Sequence, residues 1–421
     1  MHRLLIWLSE ARNRLWVKPA VGSVLAVLLA LLAALGNRVI PSDLLPDIER
    51  DTLEGLLTVI ASSMLAVATF SLSIMVAAFA SAADQMSPRA TALVAADSTT
   101  QNAITTFISA FIYAVIAKTA LGLDLYGPAG RFILFASTML VLVALIVTLV
   151  RWVSVLSTLG RMGNTLHKIE SAARAAMCDH RRAPAMGART VGDEKEPAGR
   201  AVRADCVGYV RHIDMQALQD LAQKHAALLH IRVRPGVLAH PGTVLLVAQS
   251  KRPGEPALDE DTVRKAFVLG DGRSFDQDPR FGLIVLCEVA QRALSPAVND
   301  AGTAIAAMNT ITRVLVDGQP DDDDTEADAD HDRLTMVALD ETDFEQSFDP
   351  IARDGAGVLE VQVRMQKLLA VIAENCPGPL ARASHRQAAR ALQRAESALM
   401  LEQDKTTLRE QWAALHGDAA A

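Results

Sequence analysis

Four long apolar runs crowd the N-terminal part of the chain, and runs of that length have few ways to fold. They are Val21–Leu35, Leu56–Ala83, about Ile104–Leu123 and about Phe132–Val153. A helix needs ~20 apolar residues to cross ~30 Å of hydrocarbon, where every backbone polar group must be satisfied internally. Polar connectors separate the runs at Asn37–Glu54, Asp84–Gln101 and Asp124–Arg131. The pattern predicts a membrane α-helical bundle of four transmembrane helices, joined to a soluble half of ordinary charge content. Basic residues before the first run also suit a signal peptide. However, no small-residue cleavage pattern precedes Gly36–Asp51 and three further runs follow, so a retained first helix is expected.

Flanking charge sets the orientation. Arg3, Arg12, Arg14 and Lys18 precede the first run, and Arg151, Arg161, Lys168, Arg174, Arg181 and Arg182 follow the fourth. The first connector sets only Arg38 and Arg50 against Asp43, Asp47, Glu49 and Asp51. The bias of Lys and Arg toward the cytosolic side predicts a multi-pass bacterial inner-membrane protein with both termini in the cytoplasm. An even number of spans agrees.

Two spans carry polar residues at helical spacing. In the second these are Ser62, Thr69 and Ser73, with Ala66, Ala77 and Ala80 between and beyond them; in the third, Asn102, Thr106, Ser109 and Tyr113. Steps of three and four keep each set on one helix face. The two faces are expected to meet each other or a cavity, because lipid offers hydroxyls no partners. Close helix packing accounts for them, and a polar pathway is the sharper alternative. No acidic residue lies deep in any run, which disfavours a proton-coupled pump. At Ser87-Pro88-Arg89 the pattern is a helix start, with Arg89 at the membrane interface in reach of lipid phosphate.

The soluble half divides by composition. Residues 161–204 are a helical extension and linker, 205–316 an α+β domain, 317–334 an acidic disordered loop and 335–421 a C-terminal helical hairpin. Strands are predicted over Cys206–Ile213, Leu228–Val233, Thr243–Val247 and Val263–Leu269, with a helix at Met215–Ala226; Pro-Gly turns at Pro235-Gly236 and Pro241-Gly242 suggest a small barrel or sandwich. Asp278-Pro279 opens a helix as N-cap and first residue. That helix leads to Ser295-Pro296-Ala297-Val298-Asn299-Asp300-Ala301-Gly302-Thr303-Ala304, a sharp turn in which Ser295, Asn299, Asp300 and Thr303 form a candidate binding or capping site. Free N–H groups at a helix start attract anions, but an Asp already there competes, so capping is the expected role.

The net charge of -7 comes largely from Asp321–Asp332, which lacks the glycine and final glutamate of a calcium loop. No basic run with interleaved aromatics points to nucleic acid. The cysteines Cys178, Cys206, Cys287 and Cys376 form no C-x-x-C pair, so buried free thiols are expected and neither a metal nor a cofactor is implied.

Three stretches together resemble a bacterial family of predicted membrane proteins of unknown function: Phe70-Ser71-Leu72-Ser73 with Ser87-Pro88-Arg89, Arg234-Pro235-Gly236 through Gly242, and Ser295-Pro296-x-x-Asn299-Asp300-x-x-Thr303-Ala304. The resemblance implies a four-helix N-terminus and a cytosolic C-terminal half, and carries no activity with it. With no nucleophile elbow, phosphate loop or metal-binding helix, an enzyme is not expected. The leading expectation is an oligomeric channel or transport-type protein with a cytosolic regulatory domain, in which the lipid bilayer and further copies are the partners and the ion or ligand is open. The alternative is a membrane-anchored sensor or scaffold.

Overall fold

Large apolar side chains at helical spacing decide which face of each membrane helix turns inward. The computed structural model describes residues 17–35, 46, 48–85, 89, 98–156, 162–191, 198–250, 258–317, 331–340 and 342–416. It divides into two units, Met1–Asp84 with Pro88–Thr165, and Gln85–Ser87 with Leu166–Ala421.

The first unit holds α1 (Val17–Leu35), α2 (Arg50–Gln85), α3 (Ser98–Gly122) and α4 (Pro128–Leu156). Among the described residues, three stretches are long and apolar enough to cross a membrane: Arg50–Ser81, Thr100–Gly122 and Pro128–Leu156. The first helix is apolar over the shorter stretch Pro19–Ala33, so the expectation of four spans is met at three.

Helix α3 packs closely against α1 and α4. Small residues permit this, with Ala26, Ala30 and Ala33 of α1 and Ala110, Ala114 and Ala117 of α3 all buried. At Gly22 a β-carbon would stand 2.4 Å from Ser109 Oγ, so only glycine fits. Tyr126 donates to Ala30 O at 2.9 Å. At one end Lys118 reaches Thr58 Oγ1 at 2.9 Å and Glu54 at 3.7 Å, while Arg50 pairs with Asp124 at 2.7 Å.

The second unit contains most of α5 (Met162–Arg182) and a five-stranded mixed sheet in the order β1-β8-β4-β6-β2. These strands are β1 (Ala188–Val191), β2 (Arg200–Arg203), β4 (Ala227–Ile231), β6 (Val244–Ser250) and β8 (His331–Val337). Strand β8 runs parallel to both β1 and β4, and β6 is antiparallel to β4 and β2. A separate antiparallel sheet orders β5 (Leu238–Ala239), β3 (Gly208–Ile213) and β7 (Phe267–Gly270). Helix α6 (Met215–Lys224) packs on β4 and β8, burying Leu218 with Leu229, Leu246 and Met336.

Helices complete the unit: α7 (Glu260–Arg264), α8 (Pro279–Ala293), α9 (Ala301–Asp317), α10 (Thr342–Glu345), α11 (Asp349–Asp354), α12 (Leu359–Asn375), α13 (Pro379–Ala398) and α14 (Glu402–His416). Helices α8 and α9 pack as a pair, and α12 joins α9 to α13. Gly282 of α8 sits so near Ala173 that a β-carbon would come within 2.3 Å of it.

Several expectations change. The stretch expected as extension and linker, 161–204, supplies α5 and the edge strands β1 and β2. Three of the four β1 residues are exposed, so the strand shows no alternation of apolar residues. Val263 belongs to α7, capped by Asp259, and the strand starts only at Phe267. Two sheets replace the expected barrel or sandwich, because β8, from beyond the acidic stretch, inserts between β1 and β4. The acidic residues 318–330 lie outside the described residues, while Asp332 sits in β8 and accepts from Gln219 Nε2 at 2.6 Å. The C-terminal hairpin gains a third helix, since the backbone turns extended at Leu399 between α13 and α14. Cys287 and Cys376 are buried, but Cys206 is exposed.

Candidate functional site

The Ser62, Thr69 and Ser73 hydroxyls of α2 do not join those of α3. At about 100° per residue, the packed face of α2 (Leu53, Leu57, Ile60, Met64, Ala68, Ser71, Met75) lies roughly opposite the Ser62–Thr69–Ser73 face. Ser62, Thr69 and Ser73 are exposed. Each satisfies its hydroxyl on its own helix, donating to Thr58 O at 2.9 Å, Leu65 O at 3.0 Å and Thr69 O at 3.0 Å. The expected meeting of the two polar faces therefore does not occur within one chain. Larger Leu, Ile and Met side chains on the other side of α2 bury more area, and they win the inward face. Ser71, a neighbour in sequence that the spacing passed over, is the hydroxyl that turns inward.

Three of the four polar residues of α3 behave differently from those of α2. Thr106, Ser109 and Tyr113 line a cavity of about 320 Å³ among α1, α3 and α4. Tyr113 is buried, its hydroxyl 2.7 Å from Ser137 Oγ and 3.0 Å from Thr138 Oγ1. Thr106 donates to Asn102 O at 2.9 Å, and Asn102 is exposed. Arg89 is exposed, whereas Ser87 and Pro88 lie outside the described residues.

The Ser295–Thr303 turn is a compact hydrogen-bonded structure. Ser295 Oγ donates to Arg292 O at 2.7 Å, and Asn299 N to Ser295 O at 2.8 Å. Asn299 takes φ 50, the left-handed region that Asn tolerates better than most residues. Asp300 then accepts from Thr303 N at 3.0 Å and from Thr303 Oγ1 at 2.6 Å. These bonds hold its carboxyl below the usual carboxylate range. All the acceptor capacity used here points back into the start of α9, which is the geometry of an N-cap.

Charged side chains converge elsewhere in the second unit. Arg273 and Arg280 line a cavity of about 490 Å³ with Gly236, Val237, Leu283, Ile284, Cys287, Glu288, Gln291, Asp343 and Pro350 among others. Asp278, 1 % exposed, is buried against both arginines. One carboxylate oxygen caps α8 through Arg280 N at 3.2 Å, and the other takes Arg273 Nε at 2.7 Å and Nη2 at 2.5 Å. Burial pushes this carboxyl up, and the charges of Arg273 and Arg280 pull against it. The Pro-Gly turn makes room for the pair. Gly236 has φ +91, and a β-carbon there would stand 2.1 Å from Asp278 Oδ2.

A second cavity of about 270 Å³, lined by His180, Arg234, Asp179, Asp276 and Gln277, adjoins this cluster electrostatically. Arg234 Nε and Nη2 donate to Val337 O and Pro184 O, each at 2.9 Å. Burial and the charge of Arg280 lower its pKa to about 10. His180 is buried edge-on to Phe344, with ring centroids 5.8 Å apart. Burial, then Arg234, Arg181 and Arg280, lower its pKa to about 4, so it is neutral at pH 7. The Cys287 thiol is pushed up to about 12 by burial and is no nucleophile. Among the described residues no three His, Cys, Asp or Glu gather as a metal site.

Arg273, Arg280 and His180 carry no periodic or motif signal. Asp278 and Arg234 stand in the sequence as a cap and a turn residue. The one readable hint is that Asp278-Pro279-Arg280 puts a charge on each side of the proline.

Comparison with known proteins agrees with the apolar helices. Two relatives are uncharacterized protein Mb1321c of Mycobacterium bovis and uncharacterized protein Rv1290c of Mycobacterium tuberculosis. Each is 28% identical over 179 residues, which is 41% of this chain and 34% of the relative. The match thus spans about a third of the length of these relatives. No solved structure matches the chain. The model of the family described as "Predicted membrane protein (DUF2254)" matches residues 12–371, and the chain belongs to that family.

Proposed function

We propose that this membrane protein is a sensor: a four-span anchor in the bacterial inner membrane, both termini cytosolic, whose soluble unit takes up a small ligand in the cavity beside α8. The observation that carries this reading is convergence. Two arginines and apolar walls share one 490 Å³ space in the second unit, and the buried carboxylate of Asp278 holds one of those arginines. Ligand sites are concave, largely apolar and marked by a few placed polar groups, and this cavity has that composition. Support for the fourth span comes from α1, whose 19 residues extend ~28 Å, close to the thickness of the hydrocarbon core. Reporter fusions after Arg50 and Arg131 are expected to be periplasmic, and one after Arg161 cytosolic.

A second reading, conduction through a homo-oligomer, is favoured by the outward Ser62–Thr69–Ser73 face of α2, which further copies would bring to a shared axis. The back-bonded hydroxyls weigh against it, since they are already satisfied in lipid.

The test is retention. Full-length protein is purified in mild detergent and denatured, and the released small molecules are compared with those from Ile284→Trp, which fills the cavity. The sensor reading expects a compound in the wild-type extract that is missing from the variant. Identical extracts would sink it.

A further inference from the structure

We infer that the cavity beside α8 takes a phosphorylated small molecule, with the phosphoryl group seated on Arg273 and Arg280. The inference rests on the sensor reading and adds the ligand's chemistry to it. Arg280 is the less satisfied of the two arginines. Its side chain is 26% exposed, and its ion pairs are loose, 3.7 Å to Asp278 and 3.9 Å to Asp343. Its Nε is buried with no hydrogen-bond partner. A guanidinium carries five donors, and a buried donor without an acceptor costs free energy that a bound oxyanion would recover.

Arg273 is held more firmly. Its Nε donates to Asp278 at 2.7 Å, its Nη2 stands 2.5 Å from the same oxygen as an ion pair, and its guanidinium carbon lies 5.5 Å from the Phe281 ring centre. Asp278 therefore orients Arg273 and cannot also neutralise Arg280 at close range. A tetrahedral phosphoryl group accepts from several directions and so can engage two guanidinium groups at once. A planar carboxylate is best met by a single fork.

The rest of the cavity fits a ligand with a non-anionic body. Val237, Ile284 and Pro350 supply apolar walls. Glu288 lies two turns along α8 from Arg280, ~12 Å along the axis, where a second phosphate would be repelled. The neighbouring Arg234 adds positive potential from a side chain that donates to the carbonyl oxygens of Val337 and Pro184. Asp179 and Asp276, the carboxylates nearest it, are exposed to water.

The experiment is calorimetric titration of the full-length protein in phosphatidylcholine nanodiscs with pyrophosphate, AMP and adenosine. Pyrophosphate and AMP are expected to bind saturably and adenosine not at all. Arg280→Gln is expected to weaken AMP at least tenfold, while Arg189→Gln on the exposed edge strand leaves it unchanged. A repeat with phosphatidic acid in the discs distinguishes the source of the phosphoryl group: lost AMP binding assigns the site to a lipid headgroup, and unchanged binding to a free metabolite. Should Arg280→Gln melt well below the wild type, Ile284→Trp replaces it, since it keeps both arginines and is expected to abolish AMP binding. No heat from either phosphate, adenosine binding as well as AMP, or AMP binding untouched in the variant used would each overturn the inference. A retained compound without phosphate, lost in Ile284→Trp, would overturn the ligand class and leave the sensor reading standing.

Discussion

The two units handle polar groups in opposite ways. In the membrane unit the Ser62, Thr69 and Ser73 hydroxyls of α2 turn outward and bond their own helix, so this polar face is dispersed and individually satisfied. In the soluble unit charged groups are drawn together. Asp278 is buried between two arginines, and His180 is buried and Arg234 half-buried within the field of Arg280. Dispersal costs little and demands nothing of the neighbours. Convergence burdens the fold, because each buried charge depends on a partner that must stay in place. Such a burden is expected at a working site, and that is the physical basis for assigning function to the soluble unit.

The largest effect expected from a single substitution is at Gly236. A β-carbon there would collide with Asp278 Oδ2 and impose a left-handed φ on a non-glycine residue. Gly236→Ala is expected to lower stability by ~2–4 kcal/mol and the melting temperature by roughly 5–10 °C, read by thermal unfolding of the full-length protein. A wild-type melt would show that the Asp278–Arg273 pair is not under the constraint described.

Acid is the next probe. His180 has a folded pKa of about 4, below its usual 6.5, so the unfolded chain takes up the proton first. Its contribution to stability is complete above pH 6.5 and is lost as pH falls toward 4, with an upper bound of ~3 kcal/mol. His180→Asn is expected to flatten the fall in melting temperature across that window, whatever its effect at pH 7. An unchanged slope would remove His180 from the buried cluster.

A smaller effect is expected at the helix start. Asp300→Ala removes both bonds to Thr303 and is expected to cost ~1 kcal/mol, a few degrees in melting temperature. If melting is unchanged but AMP binding is lost, the turn is a coupling element and capping is not its main role.

The smallest effects are expected in the membrane. Ser62→Ala, Thr69→Ala and Ser73→Ala each remove one back-bond and are expected to change stability by less than ~0.5 kcal/mol. Cysteines placed at these positions are expected to resist small polar thiol reagents in intact membranes. Fast labelling at all three would turn α2 into the wall of a water-filled path and erase the contrast between the units.

How much of this was legible from sequence follows the same contrast. Apolar length and charge-poor runs are local signals, so the membrane helices could be read directly, apart from the short apolar stretch of α1. The α8–turn–α9 segment was legible because Asp278-Pro279 and Asp300 carry local cap chemistry. The direction of the Ser62–Thr69–Ser73 face was not, because periodicity shows that residues share a face and leaves open which way it looks. The five-stranded order was hidden because β8 joins β4 across more than 100 residues of chain. The arginine cavity was hidden for the same reason. Gly236, the Arg273–Arg280 stretch and Asp343 stand on three separate segments and meet only in the fold.

The claim that function resides in the soluble cavity and not in a membrane path is tested most directly by solute flux in proteoliposomes. Potassium, chloride and small-solute efflux are measured with wild type and with Ser73→Trp, which would plug an α2-lined path. The account predicts no efflux above empty liposomes from either protein. Efflux from the wild type that Ser73→Trp abolishes would contradict it.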